Sequence, residues 1–394
     1  MQSIQIKKDV FYVGANDPDR RLFDELIPLP DGTSYNSYLI KGSKKTALID
    51  SVDPEKKEVL FENLKNTGID SIDYIIAHHG EQDHSGTIPY VLEKYPGAKV
   101  VTNAKCKAVL IDLLLLDDED FVVIEDGQEV SLGDKTLKFI FAPWVHWPET
   151  MLTYLPEDKI LFTCDFFGTH YSAEELFIDN NDKIYTPAKR YFAEIMMPFR
   201  TSVKKNLELI KDLDFDTIAP SHGPVHRDRD FILDCYRDWS SDDVKNEVII
   251  AYVSMHGSTE KMVGYFKNAL EKKEIVVKLF NLSDVDTGEL AMALVDAATV
   301  VLGCSTVLVG PHPKAMYAAY LVKVLRPKTK FLSVIGSYGW GGKMVEQLVE
   351  VLKSLKAEII EPVVAKGYPK ESDFASLDEL AEKIKSKHKD LEIL

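Results

Sequence analysis

The sequence predicts an α/β chain in two parts: a first half of mixed strands and helices, followed by a doubly wound parallel sheet. Three observations carry this. At 394 residues the chain exceeds one ordinary compact domain, and two domains of about 150–250 residues are the natural division. From Glu247 onward, apolar strand-like runs and helical runs alternate, the pattern of repeated strand–helix units around a parallel sheet. The charge divides at the same place: residues 1–246 carry 44 acidic against 28 basic side chains, the whole net charge of −16, while the remainder carries 19 of each. The expected domains are therefore 1–246 and 247–394.

Composition narrows the class. With 45% hydrophobic and 28% charged residues the chain is globular. No apolar run reaches membrane-spanning length, and the start, Met1 to Asp9, lacks the apolar core of a signal peptide, so a cytoplasmic protein without membrane association is expected. An acidic front half disfavours nucleic acid and anionic membranes. The four cysteines, Cys106, Cys164, Cys235 and Cys304, form no CxxC, which argues against a disulfide framework, a zinc knuckle or an iron–sulfur cluster.

In chain order, Ser34–Ile40 and Thr46–Asp53 read as neighbouring strands, and Pro54 opens a helix over Glu55–Lys65, where proline suits the first position. Tyr74–Ala77 reads as a buried strand, Ile88–Tyr95 as a helix ended by Pro96-Gly97, and Ala98–Val101, Thr136–Ala142 and Lys159–Thr163 as further strands. In the second half the strands are Val248–Val253, Ile275–Asn281, Thr299–Gly303, Lys330–Gly336 and Glu358–Val364. The intervening helices are Ser258–Lys272, Leu290–Ala298, Lys314–Leu325, Lys343–Leu355 and Leu377–Lys387.

Chemistry concentrates at strand ends. His78-His79-Gly80-Glu81-Gln82-Asp83-His84 follows the strand Tyr74–Ala77, with His79, Glu81 and Asp83 alternating around small or neutral residues. Three later strand ends add His146 (between Trp144 and Trp147), Asp165, and Ser221-His222-Gly223, with His226 close behind. Any one of these is more often a structural histidine or a helix cap than a ligand; four strand-end loops together point to a binuclear metal site. Trp144 and Trp147 are expected to pack around His146. Asp83 and His84 are adjacent, so both can face one point only if the chain turns there.

His79-x-Glu81-x-Asp83-His84 resembles the flavodiiron proteins, or A-type flavoproteins, whose first domain has the metallo-β-lactamase-like αββα sandwich. Hydrolases of that fold commonly carry histidine where this chain has Glu81; the extra hard carboxylate suits iron in two oxidation states better than zinc. The resemblance implies that His79, Glu81 and His146 hold one iron ion, that Asp83, His84 and His222 hold the other, and that Asp165 bridges them. It favours His222 over His226 and His79 over His78. Asp53, Ser221, His170 and Tyr171 are candidates to orient ligands or deliver protons, with His170 and Tyr171 assigned to catalysis.

The second half resembles flavodoxins at three loops. Ser254, Met255, His256, Gly257, Ser258 and Thr259 precede the first helix, where hydroxyls and backbone N–H groups hold the phosphate of FMN. Ser305, Thr306, Val307 and Leu308 follow the third strand, and Ser337, Tyr338, Gly339, Trp340, Gly341 and Gly342 follow the fourth. In the family these two loops wrap the isoalloxazine ring, and Trp340 or Tyr338 could stack on it. Neither GxGxxG nor GxxxxGK[ST] occurs, which disfavours a dinucleotide or ATP.

The resemblance spans nearly the whole chain and implies reduction of dioxygen to water, with nitric oxide reduction to nitrous oxide as the alternative at the same ligands. The sequence carries no CxxC-bearing rubredoxin segment and no flavin reductase segment, so an external donor is expected, rubredoxin or a reduced deazaflavin; Lys314, Arg326 and Lys343 near the flavin loops would not repel either. A head-to-tail homodimer or a homotetramer is implied. Two readings from other classes stay open: a zinc hydrolase fused to a flavin sensor, and an electron carrier with an inactive metal domain.

Overall fold

The structure is a computed structural model and describes residues 2–178 and 181–394. It divides into two compact units, Met1–Ser240 and Ser241–Leu394. The second begins ahead of the strand Lys245–Tyr252, so the expected boundary after residue 246 lies inside that strand. Asp296 anchors its first residue, accepting at 3.1 Å from the Lys245 ammonium and through its backbone carbonyl from the Lys245 N–H.

The first unit is an αββα sandwich. One seven-stranded sheet runs in the order Ile4–Lys7, Val10–Tyr12, Tyr38–Lys41, Thr46–Ile49, Tyr74–Ile76, Lys99–Thr102, Phe121–Val123. A second sheet runs Glu129–Ser131, Thr136–Phe141, Met151–Leu155, Ile160–Cys164, Thr217–Pro220. Alternate residues of both sheets meet in one core, with Tyr38, Ile40, Ala47, Ile49 and Ile76 facing Leu137, Phe139, Met151, Ile160 and Phe162. The other face of the first sheet, through Leu39, Leu48, Ile75 and Val100, packs on helices Lys57–Asn66, Ile88–Lys94 and Ala104–Leu114. Each fully buried leucine there, such as Leu60, Leu64 or Leu110, stabilises the layer by about 1.5–3 kcal/mol. Met151–Leu155 and Ile160–Cys164 are buried at every position, which period-2 alternation allows only when both faces of the sheet are covered.

The helix Ala104–Leu114 has no counterpart in the sequence reading. Its start is marked by Asn103, whose side chain accepts from the Lys105 and Cys106 N–H groups, a strong N-cap that the sequence offered.

The second unit has a central parallel sheet ordered Val276–Asn281, Lys245–Tyr252, Ala297–Val307, Phe331–Tyr338, Glu358–Ile359, which is 2-1-3-4-5 in strand sequence and flavodoxin-like. Two details depart from expectation. The helix foreseen over Leu290–Ala298 is Thr287–Leu294, capped by Asp286 at its start, and Ala297 already belongs to the next strand. The last strand is interrupted at Pro362, which has no N–H for a ladder, giving Glu358–Ile359 and Val363–Lys366.

Candidate metal centre and flavin site

Strand ends deliver the candidate ligands to one place. The chain leaves Tyr74–Ile76 to place His79 and Glu81, then turns into the short helix Gln82–Ser85, which carries Asp83 and His84. This helical turn is what lets two adjacent residues serve one point. The loop after Thr136–Phe141 brings His146, and the strands Ile160–Cys164 and Thr217–Pro220 end in Asp165 and His222.

Two donor groups result. In the first, His79 Nε2 lies 2.8 Å from Asp165 Oδ2 and 3.5 Å from Glu81 Oε2, and His146 Nε2 lies 3.1 Å from Glu81 Oε2 and 3.2 Å from Asp165 Oδ2. In the second, His84 Nε2 is 3.2 Å from Asp83 Oδ2 and 3.0 Å from Asp165 Oδ1, and His222 Nε2 is 3.2 Å and 3.4 Å from the same two oxygens. Each Asp165 oxygen therefore faces a different group, the arrangement a bridging carboxylate needs. Donors at right angles around a metal bonded at about 2.1 Å stand about 3.0 Å apart, so these separations are those of a coordination shell.

The polar atoms themselves fit cations. Among the described residues, both Asp83 oxygens, His79 Nε2 and Asp165 Oδ2 are buried, and their 2.8–3.2 Å approaches to one another and to the neighbouring imidazoles are not aligned as hydrogen bonds, which is costly unless something charged meets them. His222 Nδ1 donates to the Ser34 carbonyl at 2.6 Å, which turns the Nε2 lone pair toward Asp83 and Asp165. Burial opposes charge on the imidazoles, yet the surrounding carboxylates lift His84 and His146 to about 9, and Cys164 together with Asp165 lifts His79 well above its usual range. Burial likewise opposes the charge on Asp165, and His84 and His79 hold it well below the carboxylate range. The cluster thus keeps protons that a metal would displace.

The neighbouring residues divide clearly. His78 is turned away from the two groups, with Nδ1 2.7 Å from Asp50 and Nε2 2.8 Å from Thr153. His226 lies outside both groups: its Nε2 donates to the Phe167 carbonyl at 3.2 Å, and burial lowers its pKa to about 4. His170 packs on the His222 ring at 4.8 Å, with Nδ1 on Thr33 at 2.9 Å. Tyr171 instead lines a small separate cavity with Tyr12, Asn16 and Ser34, because its backbone N–H turns back onto the Thr169 carbonyl. Asp53 caps the Pro54 turn and Ser221 donates to Asp50 at 3.2 Å. Trp147 sits against His79 at 5.6 Å, whereas Trp144 is half exposed and stacks on Phe199.

A cavity of about 330 Å³ opens onto the centre, lined by Phe23, Asp24, Tyr35, Glu81, Asp83 and Trp147 among others. The sequence reading missed Asp24, Tyr35 and Asp50. Asp50 ends the apolar run Ala47-Leu48-Ile49, a strand-end carboxylate like Asp165, and that was the available signal. Asp24 and Tyr35 carry no local signal.

In the second unit, the first expected loop follows Lys245–Tyr252, whereas Ser305, Thr306 and Val307 are the end of the strand Ala297–Val307 and Ser337 and Tyr338 the end of Phe331–Tyr338, each strand running past its expected end; all three stretches lie at the same end of neighbouring parallel strands, beside the point where strand order reverses. Gly257, at φ +84, turns the chain into the helix Ser258–Glu271, and Ser254 Oγ accepts from its N–H at 3.2 Å. Thr259 and Ser337 hydroxyls meet at 3.0 Å and join the first loop to the third. The buried Ser305 hydroxyl has no partner among the described residues, and Leu308, Val309 and Trp340 stand exposed. A helix N-terminus with hydroxyls beside an uncovered apolar and aromatic rim fits a phosphate-bearing ring.

Residues 33–223 match the family model described as ODP family beta lactamase, and residues 250–379 match flavodoxin. The chain is 36% identical over 392 residues to a nitric oxide reductase of Moorella thermoacetica, covering 97% of this chain and 98% of that one. It is 33% identical over 379 residues to the flavo-diiron protein FprA2 of Clostridium acetobutylicum, covering 92% and 93%. Rubredoxin oxygen:oxidoreductase of Desulfovibrio gigas superposes with a TM-score of 0.95 at 28% identity over the whole of both chains. The chain belongs to the flavodiiron proteins, oxidoreductases that join a β-lactamase-like diiron domain to a flavodoxin domain binding FMN.

Proposed function

We propose that this chain reduces dioxygen to water at a diiron centre held by His79, Glu81 and His146 on one side and Asp83, His84 and His222 on the other, with Asp165 between them. The observation that carries the reading is the split of Asp165, one oxygen to each donor group, in a cluster whose Glu81 and Asp83 line an open cavity. When bound, the flavin supplies one-electron and two-electron transfer and the two irons supply the binding and reduction of a diatomic substrate. The chain's own groups set the conditions. Three carboxylates, Glu81, Asp83 and Asp165, offset the positive charge of two cations. Tyr35, Phe23 and Trp147 line the cavity, and Asp24, Glu25 and Asp53, against Arg20, leave its lining net negative, which disfavours anionic substrates. Burial, then the charges of Glu81 and Asp83, raise Asp24 to about 6 in the metal-free chain. His170, packed on His222, serves to orient that ligand.

Likeness to the Desulfovibrio oxygen oxidoreductase supports oxygen as the substrate; the Moorella relative's name supports nitric oxide as the second reading. Anaerobic stopped-flow mixing of the reduced protein with each gas tests the choice, and faster turnover with nitric oxide, without inactivation, would overturn it. The donor is an external rubredoxin or reduced deazaflavin, favoured at the second unit by Lys314 and Lys343; Arg326, expected beside them, instead caps the far end of the helix Pro313–Leu325. Unchanged donor kinetics after replacement of the two lysines would remove that argument. The working form is a head-to-tail homodimer or a dimer of dimers, consistent with the exposed Leu308, Val309 and Trp340; a sedimenting monomer with full activity would contradict it. Two zinc ions per chain without a redox-active flavin would instead establish the hydrolase reading.

A further inference from the structure

Glu149 has no place in the ligand set, yet it is 3% exposed and its carboxylate Oε1 accepts from the Gly80 backbone N–H at 3.1 Å. Gly80 stands between His79 and Glu81, two ligands of the first donor group, and Glu149 lies three residues after His146, the third. One hydrogen bond thus joins the two chain segments that supply all three terminal ligands of that group. The carboxylate projects from a fixed point, because the Asn103 side-chain amide donates to the Glu149 carbonyl at 2.7 Å while capping its own helix. Gly80 can approach so closely only as glycine: a Cβ there would lie 2.3 Å from Val109 Cγ1. The second donor group shares one tie with this segment, since the His84 N–H donates to the Glu81 carbonyl at 3.1 Å and the Ser85 hydroxyl to the Gly80 carbonyl at 2.9 Å, but it has further anchors of its own. The Ser51 N–H and hydroxyl donate to the His84 carbonyl at 2.7 and 2.6 Å, and His222 is oriented by Ser34.

We infer that Glu149 is a positioning residue chiefly for one metal position, the one formed by His79, Glu81 and His146. This rests on the ligand reading given above. Hydrogen-bonded groups around a ligand typically change metal affinity by about 10–100-fold, and Glu149 is bonded to the segment of the first group and reaches the second only through the turn after Glu81, so the larger effect falls on the first.

The test is iron content and zero-field Mössbauer spectra of the full chain after iron-replete expression, comparing the parent with Glu149→Ala and Glu149→Gln. A parent that fails to bind two irons refutes the ligand reading itself. With that baseline in place, Glu149→Ala should fall toward one iron per chain, with one of the two quadrupole doublets lost and the other unshifted. Glu149→Gln, whose amide oxygen still accepts from Gly80, should retain both. Two irons with unchanged spectra in Glu149→Ala, joint loss of both, or failure of Glu149→Gln to restore occupancy would each overturn the inference.

Discussion

Replacing Asp50 with alanine should destabilise the first unit by about 4 kcal/mol and loosen iron at both positions. Asp50 is 2% exposed and its carboxylate accepts from the His78 N–H at 2.9 Å, His78 Nδ1 at 2.7 Å and the Ser221 hydroxyl at 3.2 Å. These residues precede the ligands His79 and His222, so one buried carboxylate ties together two strand ends. Alanine leaves two buried N–H donors unmet, each costing about 1–3 kcal/mol, while the Ser221 hydroxyl can rotate. The sum, about 2–6 kcal/mol, agrees with the cost of breaking a buried charged pair. Asp50→Asn keeps one acceptor oxygen and should cost about half as much. Denaturant unfolding of the metal-free chain, followed by tryptophan fluorescence, separates folding from metal binding, since Trp144, Trp147 and Trp239 all report on the first unit. Burial raises the Asp50 pKa but His78 outweighs it and the net shift is downward. Its contribution is therefore complete above the ordinary carboxylate range and is lost as pH falls below about 4. A cost under about 1 kcal/mol for Asp50→Ala, with iron retention unchanged, would refute this reasoning.

Asp165→Ala should abolish binding of both irons, whereas Asp83→Ala should chiefly weaken one; equal losses in iron analysis would argue against the bridging assignment. Glu81→His, which restores the pattern common in zinc hydrolases, should raise the zinc-to-iron ratio of the purified chain, measured by elemental analysis after growth in a balanced metal supply. In the second unit, His388 is fully buried between Thr299 at 2.7 Å and Asn246 at 2.8 Å, and burial lowers its pKa to about 4. The unfolded chain takes up that proton first, near its ordinary value of about 6.5, so stability should be complete above that pH and decline toward pH 4. His388→Gln should flatten the decline in denaturation midpoints against pH, and an equally steep profile would exclude His388 as the cause.

The sequence by itself determined the parts whose signals are local. Glu81 and Asp83 sit in one loop at fixed spacing, Asp165 and His222 each end an apolar strand, and the alternation after Glu247 specifies a parallel sheet because period and length distinguish strands from helices. The Leu290–Ala298 helix failed for the same reason: short apolar stretches rich in alanine suit either state, and pairing with Lys245–Tyr252 drew Ala297 and Ala298 into a strand. Tertiary structure alone decided which oxygens meet which imidazoles. The turn Gln82–Ser85 lets Asp83 and His84 converge, Asp50 takes up His78 from more than twenty residues away and leaves His79 facing the centre, and the folding of distant strands places Asp24 and Tyr35 over it. Such choices depend on contacts between residues far apart in the chain, which no spacing within a loop can encode.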